Sequence, residues 1–132
     1  LHLFNSCGEL YLQKRPAWKD IQPGRWDTAV GGHVDWGEEP LAALRREVRE
    51  EVGVTDFEPQ HVLTYLFESE RERELVYVYK TVYDGPVVPS GELDGGRFWT
   101  LREIAEGVGG GIFTPNFEGE IRRVAELPDV GR

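Results

Sequence analysis

The sequence predicts an α+β fold in which helices pack on a central β-sheet. Three observations carry that prediction. Short runs rich in Val, Leu, Tyr and Thr have the composition of strands. Stretches with apolar residues at helical spacing are interspersed with them. Gly, Pro, Asn and Asp punctuate the joins. Elements mixed in this way bury their apolar faces against one another in layers. With 132 residues the chain is one domain, residues 1–132, long enough for a proper core, and no repeat, low-complexity tract or linker divides it.

From the N-terminus, Leu1–Phe4 and Glu9–Gln13 read as a hairpin turning at Asn5-Ser6-Cys7-Gly8. A Pro- and Gly-punctuated loop from Arg15 to Arg25 leads to a short strand, Trp26–Val30, which feeds the pair Gly31-Gly32. Glu38-Glu39-Pro40 is a helix start, because acidic residues favour the positive N-terminal end and Pro is at ease in the first turn. Leu41, Leu44, Val48 and Val52 then form a core-facing stripe, and Gly53 stops the helix. Two longer strands follow near Gln60–Phe67 and Glu74–Tyr83, with a turn at Asp84-Gly85-Pro86. A strand at Gly96–Trp99 precedes a short helix, Leu101–Glu106, with Thr100 as its N-cap. Glycines 107 and 109 to 111 form a loop, and Thr114-Pro115 opens a last helix with Phe117, Ile121, Val124 and Ala125 on its inner side.

Composition bounds the partners. Fifteen Lys and Arg against 24 Asp and Glu give a formal net charge of −9. That argues against a nucleic-acid backbone or an anionic membrane as the main partner. Phosphorylated small molecules stay open, because a bound metal inverts the local field. A single cysteine, Cys7, allows no internal disulfide and suits a reducing compartment. With no apolar run of membrane-spanning length and no visible signal peptide, a cytoplasmic location is the expectation. The chain opens mid-strand and without Met, so residues upstream are expected in the natural protein.

The most informative stretch runs from Gly32 to Val54. It sets Glu47, Glu50 and Glu51 at i, i+3 and i+4, within roughly 100° of one another on one helix. Like charges so close repel, and helix propensity gives no reason to collect them. One reading is a solvated acidic face. The other is a site for a hard divalent cation such as Mg²⁺ or Mn²⁺, which takes carboxylate oxygens and leaves room for phosphate and water. Arg46 and Arg49 flank the acids and can fix carboxylates by paired hydrogen bonds.

The spacing of Gly32, Glu38, Arg46-Glu47, Val48, Glu50-Glu51, Val52, Gly53 and Val54 resembles the Nudix box, the signature of the Nudix hydrolase superfamily, at every fixed position. The resemblance implies an α/β/α sandwich around a central mixed β-sheet. It also implies Mg²⁺- or Mn²⁺-dependent hydrolysis of a nucleoside diphosphate derivative or other organic diphosphate. On it, Glu47 and Glu51 are the principal metal ligands, Glu50 a further ligand or the proton acceptor, and the Gly32 carbonyl an extra ligand. Arg46 orients Glu47, and Glu38 braces the helix. The family's base sometimes lies on a later loop, and Glu92 is the candidate there, ahead of Asp94. Both monomers and homodimers occur in the family.

Phe4-Asn5, Gly8 to Arg15 and Pro23-Gly24-Arg25-Trp26 through His33 also resemble type 1 isopentenyl-diphosphate isomerases and hydrolases near them. In the isomerases a catalytic Cys stands where this chain has Gly31, two positions before a metal-binding His that matches His33. Losing that thiol removes one of the two groups that isomerisation by protonation and deprotonation requires. The isomerase site also uses two glutamates one residue apart on a strand, which Glu72 and Glu74 match in spacing, with Val76 and Val78 continuing their side. A charged strand end that solubilises an edge is the alternative meaning of that pair. The complete box without the cysteine favours a hydrolase over an isomerase. A non-catalytic, nucleotide-binding regulator is a third reading.

For the small phosphorylated substrate, His33, Arg25, Lys19 and Glu74 are the candidate contacts, with Lys14 and Arg15 in the same basic cluster. Trp18, Trp26, Trp36, Phe67 and Phe113 are candidates for a stacking surface, Trp26 and Phe67 fitting a core role better.

Overall fold

The computed structural model describes residues 1–16, 24–31, 37–68, 70, 73–89 and 95–129, with Glu74 described in its main chain only. Strand β1 (His2–Phe4) turns back into β2 (Leu10–Lys14), and β3 (Trp26–Thr28) follows. Helix α1 (Pro40–Val52) comes next, then β4 (Gln60–Glu68), β5 (Arg73–Val82) and β6 (Gly96–Trp99). Helices α2 (Leu101–Gly107) and α3 (Pro115–Val124) complete the order. The strands form one sheet, β3-β2-β1-β5-β4, with β6 also paired to β2. It is mixed: β1 runs parallel to β5, with Leu3 opposite Thr81, and the other pairings are antiparallel.

Alternation along β2 builds both faces of the core. Tyr11 points to the side where Leu3, Val30, Val48, Val52, Val54 and Phe57 gather under α1. Leu10 and Leu12 point to the other, where Trp99, Ile104, Phe113, Phe117 and Ile121 gather under α2 and α3. Helices therefore cover both faces, as the sandwich requires. Among the described residues no helix is long and apolar enough to cross a membrane.

Local chemistry explains the boundaries. In the hairpin turn the Asn5 side-chain oxygen accepts from the main-chain N–H of Cys7 at 3.1 Å and of Glu9 at 2.9 Å. Thr100 caps α2 through a reciprocal pair with Glu103, and Thr114 caps α3 by accepting from Phe117 N. Gly53 ends α1 at φ 70°, its N–H bonded to Arg49 O at 3.1 Å.

Three sequence expectations are corrected. Leu41 is 44% exposed and Ala43 is buried in its stead, because the side of the first turn that meets the core is the one Ala43 occupies. Ala125 is not on the inner side of α3 but ends it as an extended C-cap residue. Phe113 has no free face for stacking, since it is 1% exposed and wedged between Trp99 and Phe117.

A polar brace that the sequence reading missed crosses the β1, β4 and α3 elements. His2, fully buried, shares a hydrogen bond of 2.8 Å between its Nε2 and Glu120 Oε1. The Tyr65 hydroxyl donates to Glu120 Oε2 at 2.7 Å. Burial, the larger effect, holds the His2 imidazole below its ordinary 6.5, against the pull of Glu120. Burial alone would raise Glu120, but hydrogen bonds from His2 and Tyr65 outweigh it and leave the carboxyl below 4.5.

Two outcomes follow from this architecture. Gly53→Ala should destabilise the protein by about 1 kcal/mol, read as a lower Tm, because a Cβ is strained in the left-handed conformation. The unfolded chain binds a proton on His2 near pH 6.5 that the folded chain refuses, so the contribution of His2 to stability falls as pH drops below that value. The Glu120 contribution, present above 4.5, is lost later, as pH falls through its lower folded value. The raised Glu51 carboxyl works in the opposite sense over the same range, so the test is a difference. Between pH 8 and 5 the wild type should lose more stability, or gain less, than His2→Gln, and superimposable pH profiles would remove His2 as a source.

Candidate functional site

Helix α1 positions the three glutamates because Val48 and Val52, at 0% exposure, fix its rotation against the core. Glu47 and Glu51 are thereby half-buried, while the Glu50 side chain is 55% exposed. Arg46 joins the group. Its Nε and Nη2 donate to the two oxygens of Glu38 at 2.8 and 3.0 Å. Its Nη1 donates to Glu47 Oε1 at 2.8 Å and reaches Glu50 Oε2 at 3.4 Å. The fork of hydrogen bonds to Glu38, followed by the bond to Glu47, holds the guanidinium even more firmly protonated than usual. Arg49 is exposed instead.

Glu51 lacks a comparable partner. Its Oε2 is buried with no hydrogen bond among the described residues. Burial, and after it the charge of Glu47, pushes the Glu51 carboxyl up to about 7. Among the described residues no group of three or more His, Cys, Asp or Glu side chains is disposed to hold a metal. The residues present nonetheless fit a divalent cation on chemical grounds. An orphaned carboxylate oxygen electrostatically coupled to Glu47 is relieved by a positive charge, and hard oxygens are the ligands such a cation takes.

Glu47 faces a cavity of about 500 Å³. Pro40, Ala43 and Leu44 of α1 border it on one side, and Asp27, Thr28, Val30 and Gly31 border it beside β3. Leu75 to Tyr79 of β5 form another wall, with Tyr65, Asn116 and Glu120 closing it. Parallel pairing joins β1 to β5 only at Lys80–Val82, so the stretch of β5 before that pairing is available as cavity wall. Asp27 is held by the Thr28 N–H at 2.8 Å and by the Thr114 hydroxyl at 2.9 Å. A Cβ at Gly31 would meet no described atom within 4 Å.

The remaining sequence candidates divide by position. Arg25 reaches the Phe113 carbonyl at 3.5 Å. Trp26 packs edge-on to Trp99, whereas Phe67 lines a second, smaller cavity. The Glu74 main chain pairs opposite Phe67, and Val76 and Val78 border the main cavity. Gly32, His33, Lys19, Glu92, Asp94, Glu72, Trp18 and Trp36 lie outside the described residues. Asp27, Tyr65, Asn116 and Glu120 were not anticipated as cavity residues. The signals available were an acid inside a short strand and an acid three residues after Phe117, on the flank of an apolar helical stripe.

Comparison with known proteins places this architecture. Residues 1–117 match the NUDIX domain family model. The uncharacterized Nudix hydrolase PA4841 of Pseudomonas aeruginosa is 36% identical over 97 residues, 73% of this chain and 57% of that protein. An isopentenyl-diphosphate Delta-isomerase of Serratia proteamaculans is 31% identical over 111 residues, 80% of this chain and 60% of that one. The chain thus spans about three fifths of the length of these curated relatives. The crystal structure of DR0079 from Deinococcus radiodurans is similar with a TM-score of 0.79 at 26% identity, covering 92% of this chain and 78% of that one. A matched span that runs from the first residue through the glutamate helix and into α3, on a mixed sheet covered by helices on both faces, identifies the chain as a member of the Nudix family.

Proposed function

We propose that the protein hydrolyses a diphosphate linkage in a nucleoside diphosphate derivative or other organic diphosphate, using a divalent cation, Mg²⁺ or Mn²⁺. The observation that carries this reading is the buried, unpartnered oxygen of Glu51, coupled to a Glu47 that faces a cavity of about 500 Å³. Glu47 and Glu51 would hold the cation, with Glu50 and the Gly32 carbonyl as further ligands. A bound divalent cation supplies charge neutralisation at the phosphoryl oxygens and makes water more acidic.

The chain's own groups do the rest. Arg46, locked by two hydrogen bonds to Glu38, fixes the direction of the Glu47 carboxylate. Glu50, the most exposed of the three, is the proton acceptor, and an ordinary carboxylate is basic enough for an acidified water. Glu92 is the alternative base. The β5 stretch from Leu75 to Val78 lines the cavity that Glu47 faces.

Similarity to isopentenyl-diphosphate isomerases favours a second reading, an isomerase acting on a prenyl diphosphate. Gly31 weighs against it: the residue borders the cavity with space for a side chain, but carries no thiol to move a proton.

Phosphate release from a panel of diphosphates with Mg²⁺ tests the proposal, and Glu50→Gln or Glu51→Gln should lower turnover by about 100-fold or more. Full turnover by both variants, or undiminished activity after exhaustive chelation, would refute the mechanism; isomerised product without phosphate release would promote the second reading. Arg46→Lys keeps the charge but loses the fork, so Mn²⁺ affinity measured by titration calorimetry should drop by about 10-fold or more.

A further inference from the structure

Strand β4 forms an end of the sheet, and among the described residues no strand pairs with its outer edge. An open row of N–H and C=O groups invites another chain to pair with it, so soluble proteins blunt such edges with Lys, Pro or bulges. From Gln60 to Phe67 the strand carries no Lys, Arg, Asp, Glu or Pro. A bulge between His61 and Leu63 is its one such device, and Leu63–Glu68 beyond it pairs regularly with β5. An uncharged edge is out of keeping with a chain that has 24 Asp and Glu among 132 residues.

Beside that edge the α1 side of the sheet is apolar as well. Leu66 lies opposite Leu75 and Thr64 opposite Tyr77, so the four share a face with Tyr79, which packs against the core under α1. Leu66 is 46% and Leu75 57% exposed, and Tyr77 is exposed too. A ligand in the main cavity would meet Leu75 and Tyr77, but Leu66 lines neither cavity. Past Leu66 the patch closes on Glu68 and Arg73, exposed charges already paired at 3.6 Å. What covers Leu66 must also satisfy the main chain beside it, which calls for another strand.

The chain itself supplies a strand that fits. Set β4 of a second copy antiparallel to the first, with the two-fold axis at Leu66. Leu66 then faces Leu66, Tyr65 faces Phe67 and Thr64 faces Glu68. Leu75 and Leu66 of one copy continue into Leu66 and Leu75 of the other, one row across four adjacent strands. The aromatic pairs fall on the opposite face, and each Glu68 meets a hydroxyl rather than a like charge. An axis at Thr64 would run the pairing into the bulge, and one at Tyr65 would set Leu66 against Thr64.

We propose that β4 is a dimer interface, pairing edge to edge with β4 of a second copy about a two-fold axis at Leu66. A basic partner would find no acid between Gln60 and Phe67, and an acidic one no Lys or Arg. The proposal is independent of the hydrolase reading.

Sedimentation equilibrium of the full chain should show a monomer–dimer equilibrium. Added NaCl should strengthen it, because each copy carries a formal charge of −9 and salt screens their repulsion. Leu66→Glu and Leu66→Lys should each weaken association by about 10-fold or more, since the axis sets each new charge against its own copy. An equimolar mixture of the two should recover the dimer, because opposite charges then face each other. Val88→Glu, at an exposed apolar position outside the strand, should leave the equilibrium unchanged within about 2-fold. Full association by Leu66→Glu, folded by circular dichroism, overturns the proposal, and so does a mixture that stays as monomeric as its components. A wild type that is monomeric up to about 100 μM overturns it too, and would assign the edge to a different protein.

Discussion

Glu47, Glu50 and Glu51 share little more than one turn of helix, and the structure depends on containing their mutual repulsion. On an exposed helix each such pair destabilises by about 0.2–0.5 kcal/mol, and more where the groups are half-buried. Burial of Val48 and Val52 works the other way, at roughly 1.5–3 kcal/mol per side chain. The apolar stripe therefore holds the helix in place with its acids still clustered. Arg46 absorbs part of the remaining charge, and Glu38 stops Arg46 from turning away.

What Arg46 leaves unrelieved is the inner oxygen of Glu51. A fold built for stability alone would not keep a buried carboxylate without a partner, because an unmatched buried polar group costs about 1–3 kcal/mol. The cation proposed for this site would relieve that strain. On the opposite flank Glu120 shows the contrasting solution. It is half-buried too, yet the His2 ring and the Tyr65 hydroxyl satisfy it, and its carboxyl is held low while that of Glu51 is driven high. Two glutamates in one molecule thus stand in opposite electrostatic states, set by their neighbours alone.

The cavity reaches both helical layers. Residues of α1 line one side and Asn116 and Glu120 of α3 line another, although the two helices cover opposite faces of the sheet. The sheet permits this because β1 joins β5 only along Lys80–Val82. Strand pairing thereby determines what lines the cavity, as much as the helix that bears the acids does.

Periodicity alone determined the elements of this protein: alternating residues made β2 two-faced, helical spacing fixed α1 and α3, and Thr100, Thr114 and Gly53 marked ends through bonds made within a few residues. The grouping of Glu47, Glu50 and Glu51 was legible for the same reason, since i, i+3 and i+4 on a helix are neighbours whatever surrounds them. Which side of the first turn of α1 meets the core was not legible, and so Leu41 looked buried. The brace of His2, Tyr65 and Glu120 was beyond sequence reasoning altogether, because its partners are 55 and 118 residues apart and nothing local announces them. Only tertiary structure decided which acid would be satisfied and which left wanting, because burial and hydrogen bonding depend on neighbours brought in from elsewhere in the chain.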